Sequence, residues 1–411
     1  MKNLLPILTV RFCSSLGDQA LVYGIPILVF QLTGSMSASG LAFAIEWIPR
    51  LIAMPLSGAA ADIFGPRRLL LSSDIFRFIV TFIAGIILFF PITSHSTIAL
   101  IFGILGGAVG FFHEMAFVSF ESLAPRLVTM HDLPKLHTVL QGLDLGTQII
   151  APGLAALLLI NFNSSAFIFT LSGIFLCGFL FSSKSKLIKN ISLDDIKNID
   201  LKILHKQTKK QILEGVFFVL KSKNILALIA ISITMNFSLG IVLSGSAGYL
   251  KEGLGSSAQM AGVLGTASGI LGLFSFVIIP LYLSKYSLFS LGTLGVLLFF
   301  ICNVSLAVFH NVWIYGLLYA GLFLSDGFYT VFMRTMRVSF IPKEVFSSAI
   351  GIILLLNFIF MPISGFSLAL LGGSPESYRY LIIASSFLFI LVAITSLIIL
   401  SKKSLIIKNL F

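Results

Sequence analysis

The chain has 411 residues, of which 57% are hydrophobic and 10% are charged, and its formal net charge is +11. Soluble domains carry about 25% charged residues, so this composition excludes a soluble globular enzyme and a disordered protein. A membrane protein with many spans fits the composition, and positive charge on its loops explains the basic balance better than nucleic-acid binding does.

Twelve apolar stretches follow one another along the chain, each long enough to cross a bilayer as a helix of about 20 residues. They are predicted at about 7–32, 38–61, 69–90, 97–120, 137–160 and 165–183, and then at 224–249, 258–283, 287–308, 312–333, 345–371 and 379–401. Their continuous apolar runs do not alternate as the strands of a membrane barrel do. The sequence therefore predicts an all-α membrane protein with twelve transmembrane helices.

A polar interval divides these spans into six and six. The interval 184–223 holds ten lysines, whereas the spans hold almost none. We therefore predict an N-terminal six-helix half at residues 1–183, a cytoplasmic central loop at 184–223 and a C-terminal six-helix half at 224–411. Near the end of the loop, the segment 211–220 places its apolar residues on one helical face, which predicts a short surface helix before span seven.

The positive charges of the loops are sorted to one side of the predicted membrane. If the N-terminus lies inside, 22 of the 27 Lys and Arg residues fall in inner segments, and only Lys251 and Arg379 fall in outer ones. The remaining three lie within spans. Cytoplasmic loops of membrane proteins carry the excess of Lys and Arg, so this distribution predicts cytoplasmic termini and a cytoplasmic central loop.

The loop after span two carries the pattern G-x-x-x-D-x-x-G-x-R-R, formed by Gly58, Asp62, Gly65, Arg67 and Arg68. Glycines allow two helices to approach closely and the chain to turn sharply. An acid and two arginines can form charge-assisted bonds that exist in only one packing of the neighbouring helices. The alternative interpretation is an ordinary positively charged inner loop.

With this loop motif, twelve spans and a long central loop, the chain resembles the major facilitator superfamily of secondary transporters. The resemblance implies that Gly58, Asp62, Gly65, Arg67 and Arg68 form a latch that controls opening to the cytoplasm. The corresponding stretch of the second half contains a lysine but no acid and no paired arginines. A latch would therefore be one-sided.

Shorter stretches resemble the branch that holds bacterial enterobactin exporters and macrolide efflux proteins. They lie at 11–18 in span one, 46–50 in span two, 124–128 after span four and 140–153 in span five. This resemblance implies an exporter in the bacterial inner membrane. Drug antiporters usually carry G-P-x-x-G-G in span five, whereas residues 151–156 keep the proline and lose glycines, which leaves import open.

Charged residues inside the spans are candidates for function, because each costs about 2.5–3.5 kcal/mol on the insertion scale without a partner or a wet cavity. Glu46 and Arg50 are four residues apart in span two, a spacing that favours an ion pair. They fit a structural pair and a cavity lining equally well. Asp144 belongs to a polar face of span five. Asp74 and Arg77, three residues apart in span three, are interpreted as structural.

In the family that the chain resembles, helices one, four, seven and ten border a central cavity. That resemblance adds further candidates to those of the charge pattern. The predicted substrate or proton route is Asp18, Glu46, Arg50, Glu114, Asp144, Asn236 and Asp326. Asp18 and Glu114 have no obvious partner on their own helices, so we expect pairing across helices or a place on the route. Buried acids can exchange protons, which makes the proton the expected coupling ion.

The function predicted from these observations is proton-coupled export of a small amphiphilic molecule, a siderophore or a lipophilic drug, by a monomer working through alternating access. No enzyme, cofactor, metal or nucleic-acid partner is predicted, because the sequence lacks a P-loop, an H-E-x-x-H motif and a His/Cys/acid cluster with metal spacing. Two alternatives stay open: an importer of a siderophore or other small solute, and a non-transporting membrane sensor or scaffold.

Overall fold

The computed structural model describes residues 5–90, 94–127, 133–185, 213, 215–342 and 346–407. Most of the predicted central loop lies outside these residues, as do Lys2, Lys343 and Lys408. Several side chains within the helices also lie outside the description: Asp62, Arg126, Lys135, His137 and Gln141. Throughout the described chain, all regular structure is helical.

Six long helices make up the first part of the chain. They are α1 (Leu5–Thr33), α2 (Met36–Phe64), α3 (Pro66–Ile87), α4 (His95–Leu127), α5 (Leu133–Asn161) and α6 (Ser164–Lys184). Side chains cap several of their N-termini. The Ser35 hydroxyl accepts a hydrogen bond from the Ala38 amide at 3.2 Å, and the Asn163 side chain accepts one from the Ala166 amide at 2.8 Å. These bonds satisfy amides that have no partner within the helix.

The second part begins with a short helical segment at 215–221 and continues with six further spans. They are α7 (Lys223–Gly248, followed by a π-helical turn at Tyr249–Gly253), α8 (Met260–Leu283), α9 (Leu288–Val308), α10 (Val312–Phe340), α11a (Phe346–Phe358) with α11b (Phe360–Leu371), and α12 (Pro375–Ile407). The break between α11a and α11b has a local cause. Pro362 lacks an amide hydrogen, and its ring clashes with the carbonyl of Phe358 four residues earlier.

Twelve spans, counted over the described residues, are long and apolar enough to cross a membrane, which confirms the sequence prediction. Some helices extend past their apolar stretches. The helix α4 continues to Leu127 and α10 to Phe340, whereas the apolar runs end near residues 120 and 333. Hydropathy marks the segment inside the hydrocarbon, whereas backbone hydrogen bonding continues the helix beyond it.

The described chain forms two compact units. The first contains α1 to α6 together with Ser257–Thr266, which includes the start of α8, and the second contains α7, the rest of α8 and α9 to α12. In the first unit, α2 packs most extensively against α4, and α1 contacts α2, α4, α5 and α6. In the second unit, α7 packs against α12 and both parts of α11, and α9 packs against α10 and α12. The predicted boundaries of the halves, 1–183 and 224–411, stay a prediction.

Candidate functional site

A buried ion pair joins α1 to α2 in the first unit. The Nη1 and Nη2 atoms of Arg50 donate to the two carboxylate oxygens of Asp18, at 3.0 and 2.8 Å. Asp18 is 0% exposed and Arg50 is 5% exposed. Two parallel bonds fix both the position and the plane of the guanidinium, which a lysine could not reproduce. Asp18 therefore pairs across helices, and its place on the transport route stays a prediction.

The helix α4 adds two titratable side chains to this pair. His113 Nε2 lies 3.6 Å from Asp18 Oδ2, and Glu114 Oε1 lies 3.6 Å from Arg50 Nη1. Both residues are adjacent on α4, so one turn of that helix places an imidazole beside the carboxylate and a second carboxylate beside the guanidinium. Arg50 thus lies between acidic groups of two different helices.

Glu46 does not form the hydrogen-bonded pair with Arg50 that its spacing favoured. The residue is 0% exposed, and both carboxylate oxygens lack a hydrogen-bond partner among the described residues. The reason is that the bonds to Asp18 direct both terminal nitrogens of Arg50 towards α1. We call Asp18, Glu46, Arg50, His113 and Glu114 the Arg50 cluster. It contains three carboxyl groups and one guanidinium, so its acids outnumber its permanent cation.

Glycines of α4 leave room for the charged side chains of α2. A Cβ atom added at Gly110 would lie 3.0 Å from both Nε and Nη2 of Arg50, and one added at Gly106 would lie 3.2 Å from Glu46 Cγ. The Arg50 guanidinium also lies 5.3 Å from the centre of the Trp47 ring, within the range of a cation–π contact. Close packing of α4 therefore fixes where the Arg50 side chain can lie.

A second charged group lies nearer the start of α1. Arg11 donates from Nε and Nη2 to the carboxylate of Asp144 on α5, at 2.9 and 2.5 Å. The same Nη2 atom lies 3.8 Å from Glu121 Oε1 on α4, and the guanidinium lies 4.1 Å from the centre of the Phe117 ring. We call Arg11, Glu121 and Asp144 the Arg11 cluster. The structure thus makes Asp144 an ion-pair partner of α1.

A third buried pair lies on α3. Arg77 bonds to Asp74 on the same helix and donates to the Ser14 hydroxyl of α1 at 2.9 Å. Arg77 is fully buried, and its guanidinium lies 4.8 Å from the centre of the Phe175 ring. This arrangement fits the structural interpretation of the pair, because the arginine links α3 to α1 and α6.

The predicted residues of the second half lie in the other unit. Asn236 on α7 donates from Nδ2 to the Asn357 carbonyl oxygen at 3.1 Å, which ties α7 to α11a. Asp326 on α10 is partly buried, and the hydroxyl of Thr330 hydrogen-bonds to its carboxyl group one turn along the helix. The place of these two residues on a shared route stays a prediction.

The predicted latch spans the corner between α2 and α3. Gly65 has a φ of 78°, which favours glycine, and Pro66 opens α3. Gly58 differs, because a Cβ added there would meet no heavy atom within 4 Å in the described part of the chain. The described residues therefore show no close helix contact at Gly58. Arg67 is partly buried and Arg68 is exposed, and the latch role stays a prediction.

Sequence reasoning did not select three members of the two clusters: His113, Arg11 and Glu121. One signal could have found Glu121. It lies seven residues after Glu114, so both side chains share one face of α4. The pairing of Arg11 has no such signal, because its partner is 133 residues away along the chain. Over the described ranges, no group of three or more His, Cys, Asp or Glu side chains is placed to hold a metal ion.

The comparison with protein families decides the class. The sequence profile of the Major Facilitator Superfamily matches residues 7–365. The chain belongs to the major facilitator superfamily. No curated protein matches the sequence. Membership of this family and the twelve spans make the chain a multi-pass membrane protein with a transporter fold.

Solved structures share this major facilitator fold over nearly the whole chain. A bacterial homologue of the iron transporter ferroportin, in an inward-facing state, has a TM-score of 0.74 and 19% identity, with 97% of this chain and 98% of that chain covered. A D-xylose-proton symporter has a TM-score of 0.68 and 14% identity, with 94% and 96% covered. A bacterial homologue of the human lysosomal transporter Spinster has a TM-score of 0.72 and 11% identity, with 96% of each chain covered. Identities this low show the fold alone.

Proposed function

We propose that the chain is a proton-coupled secondary transporter of the bacterial cytoplasmic membrane that exports a small amphiphilic molecule by alternating access. The observation that carries the proposal is the Arg50 cluster, in which the buried carboxyl groups of Asp18 and Glu46 and the partly buried one of Glu114 share a single guanidinium. Unbalanced charge is costly within a membrane, so such groups mark ion and substrate pathways. One bound proton brings the total charge of the cluster closer to neutrality.

The bonding of Arg50 supports a specific mechanism of coupling. While Asp18 is ionised, it accepts two hydrogen bonds from Arg50. A proton on Asp18 removes the ionic part of this interaction and leaves Arg50 to interact more strongly with Glu114, whose Oε1 atom is already 3.6 Å from Nη1. The exchange is between carboxylates of two helices. Proton binding therefore changes how α1, α2 and α4 are held together.

Coupling follows if the substrate favours the opposite arrangement. A ligand shifts a conformational equilibrium only through its different affinity for the two states. Protonated Asp18 favours one packing of α1, α2 and α4, and bound substrate favours the other. By linkage, each ligand then weakens the binding of the other, which is the requirement for antiport.

Export of an amphiphilic molecule is supported by the resemblance of spans one, two and five to bacterial enterobactin exporters and macrolide efflux proteins. Import is the second candidate, because span five lacks the glycines of the usual antiporter element. Accumulation of labelled substrate separates the two directions. Cells that lack the chain accumulate more iron-free enterobactin or erythromycin than cells that express it if the protein exports, and less if it imports.

The orientation proposed here places both termini in the cytoplasm, on the distribution of Lys and Arg over the loops. Fusions of a periplasm-active phosphatase test it. A fusion after Phe411 is expected to be inactive, and a fusion in the loop that holds Lys251 is expected to be active. The reverse pattern contradicts the orientation.

The transport proposal is tested in proteoliposomes that carry an imposed pH gradient. Iron-free enterobactin and erythromycin are the two probes, and Glu376→Gln, an exposed acid at the start of α12, is the control variant. The expected result is flux of one probe that accelerates with the gradient. Flux that ignores the gradient contradicts proton coupling. Binding of a probe without flux favours the sensor or scaffold.

A further inference from the structure

The ring of Phe117 lies close to a member of each charged cluster of the first unit. The centre of the Phe117 ring lies 6.3 Å from the centre of the His113 ring and 4.1 Å from the Arg11 guanidinium. Glu114 precedes Phe117 by three residues and Glu121 follows it by four, so the two acids and the ring share one face of α4. Along this face of α4, the aromatic ring of Phe117 therefore stands between the acids Glu114 and Glu121.

Exposure of the carboxyl groups increases from Glu46 on α2 to Glu114 and then Glu121 on α4. Glu46 is 0% exposed and has no hydrogen-bond partner among the described residues. The side chain of Glu114 is 18% exposed and that of Glu121 is 37% exposed. The series leads from the buried Arg50 cluster towards the Leu127 end of α4. In the proposed orientation, this is the cytoplasmic end.

We propose that Glu121 is the group through which protons enter and leave the Arg50 cluster, and that Phe117 is the apolar barrier on that route. The inference deepens the proposed function and rests on its proton coupling. It adds two residues to the route that the coupling mechanism itself does not use.

Proton transfer along this route conserves charge and atoms. The carboxyl group of Glu114 loses a proton to water and becomes a carboxylate, and the carboxylate of Glu121 takes a proton from water and becomes a carboxyl group. The reverse sequence loads the cluster. When Glu114 is ionised, its carboxylate lies beside Arg50, and when Glu121 is ionised, its carboxylate lies beside Arg11. Each carboxylate thus has a cation in every step.

The barrier role follows from the length and nature of the interval. Seven helical residues separate the two glutamates by roughly 10 Å along the axis, which is too far for direct transfer and requires water. The Phe117 ring occupies this interval, and the contact with Arg11 holds it there. Protons therefore pass only when the ring moves, so that the cluster exchanges protons in one conformation of the first unit.

Among the described residues, the other charged groups near the route are the remaining members of the two clusters and Arg77, whose charge acts on Asp18 and His113. Asp18 and His113 lie with Glu46 and Arg50, and Asp144 lies with Arg11. Asp144 already accepts both bonds from the Arg11 side chain. The Glu121 side chain is 37% exposed and that of Asp144 is 23% exposed, so Glu121 is the carboxylate of the Arg11 cluster with the greater access to water.

The test measures proton leak and needs no transport substrate. Full-length protein is reconstituted with a trapped pH-sensitive dye, and the internal pH is followed after an external pH step. Replacing the ring by Phe117→Ala is expected to accelerate proton entry roughly tenfold or more, because the apolar barrier to charge is removed. The double variant Phe117→Ala with Glu121→Gln is expected to return to near the wild-type rate.

The matched control is Phe112→Ala, on the same helix but stacked against Phe76 at 4.9 Å rather than placed between the clusters. It is expected to leak no faster than wild type. Equal leak from both alanine variants, no leak from Phe117→Ala, or a leak that ignores Glu121→Gln overturns the proposal. If Phe117→Ala does not fold, Phe117→Leu serves instead. A smaller acceleration of proton entry is then expected, and the absence of any acceleration overturns the proposal. Because no substrate is used, failure of probe transport is a separate result that bears on the proposed function.

Discussion

Arg50 of α2 donates hydrogen bonds from both of its terminal nitrogens to the carboxylate of Asp18 on α1. It makes none to Glu46, which lies one helical turn away on α2. The consequence is an asymmetric cluster. Asp18 is held by two charge-assisted bonds, whereas Glu46 is equally buried and has none among the described residues. Two carboxyl groups of one site thus differ sharply in what each contributes to the folded state.

The first prediction compares neutralisation of these two acids. Asp18→Asn leaves the buried Arg50 without its ionised partner, which is expected to lower the free energy of unfolding by about 3 kcal/mol. Glu46→Gln removes no hydrogen bond and is expected to leave stability unchanged or raise it. Thermal unfolding of both variants in the same detergent measures the difference. Equal losses would contradict the assignment of bonds.

The second prediction concerns the glycine that faces Arg50. Gly110→Ala places a methyl group 3.0 Å from the guanidinium, so the side chain or α4 has to shift. We expect a loss of stability of about 1–3 kcal/mol, as in other overpacked interiors. Gly142→Ala on α5 is the matched control, because an added Cβ there meets no described heavy atom within 4 Å. It is expected to be neutral or stabilising by up to about 1 kcal/mol, since alanine favours helix.

The third prediction separates the two glycines of the loop motif. Gly65→Ala forces a side chain into a backbone with φ of 78° and is expected to cost about 1–2 kcal/mol. Gly58→Ala lies in a helix, where the added methyl group meets no described heavy atom within 4 Å, and it is expected to cost nothing. Unfolding midpoints measure both. A large loss for Gly58→Ala would show that close packing does act at that glycine.

The spans were predictable from sequence because hydrocarbon imposes both a length and an apolar composition on any helix that crosses it. The Asp74–Arg77 pair was also accessible, since three-residue spacing on a helix is a local property. The ends of the helices were harder to predict from the sequence. Residues past Phe120 on α4 are helical yet too polar to be found by hydropathy, and they include Glu121.

Pairing between helices could not be obtained from spacing. The choice of Asp18 over Glu46 by Arg50 depends on how α1 lies against α2, and the bond from Arg11 to Asp144 depends on the contact of α1 with α5. Neither contact leaves a periodic signal in the sequence. The position of Phe117 between two charged clusters is likewise a property of three packed helices rather than of the α4 sequence alone.

The central claim is that the Arg50 cluster couples proton movement to transport, and substrate-driven proton movement in proteoliposomes tests it most directly. An outward gradient of iron-free enterobactin or erythromycin, without a pH gradient, is expected to drive protons in the opposite direction through the wild-type protein. Asp18→Asn is expected to lose this movement, to below about a tenth of the wild-type rate, while still exchanging probe for probe. Normal proton movement through Asp18→Asn would contradict the account.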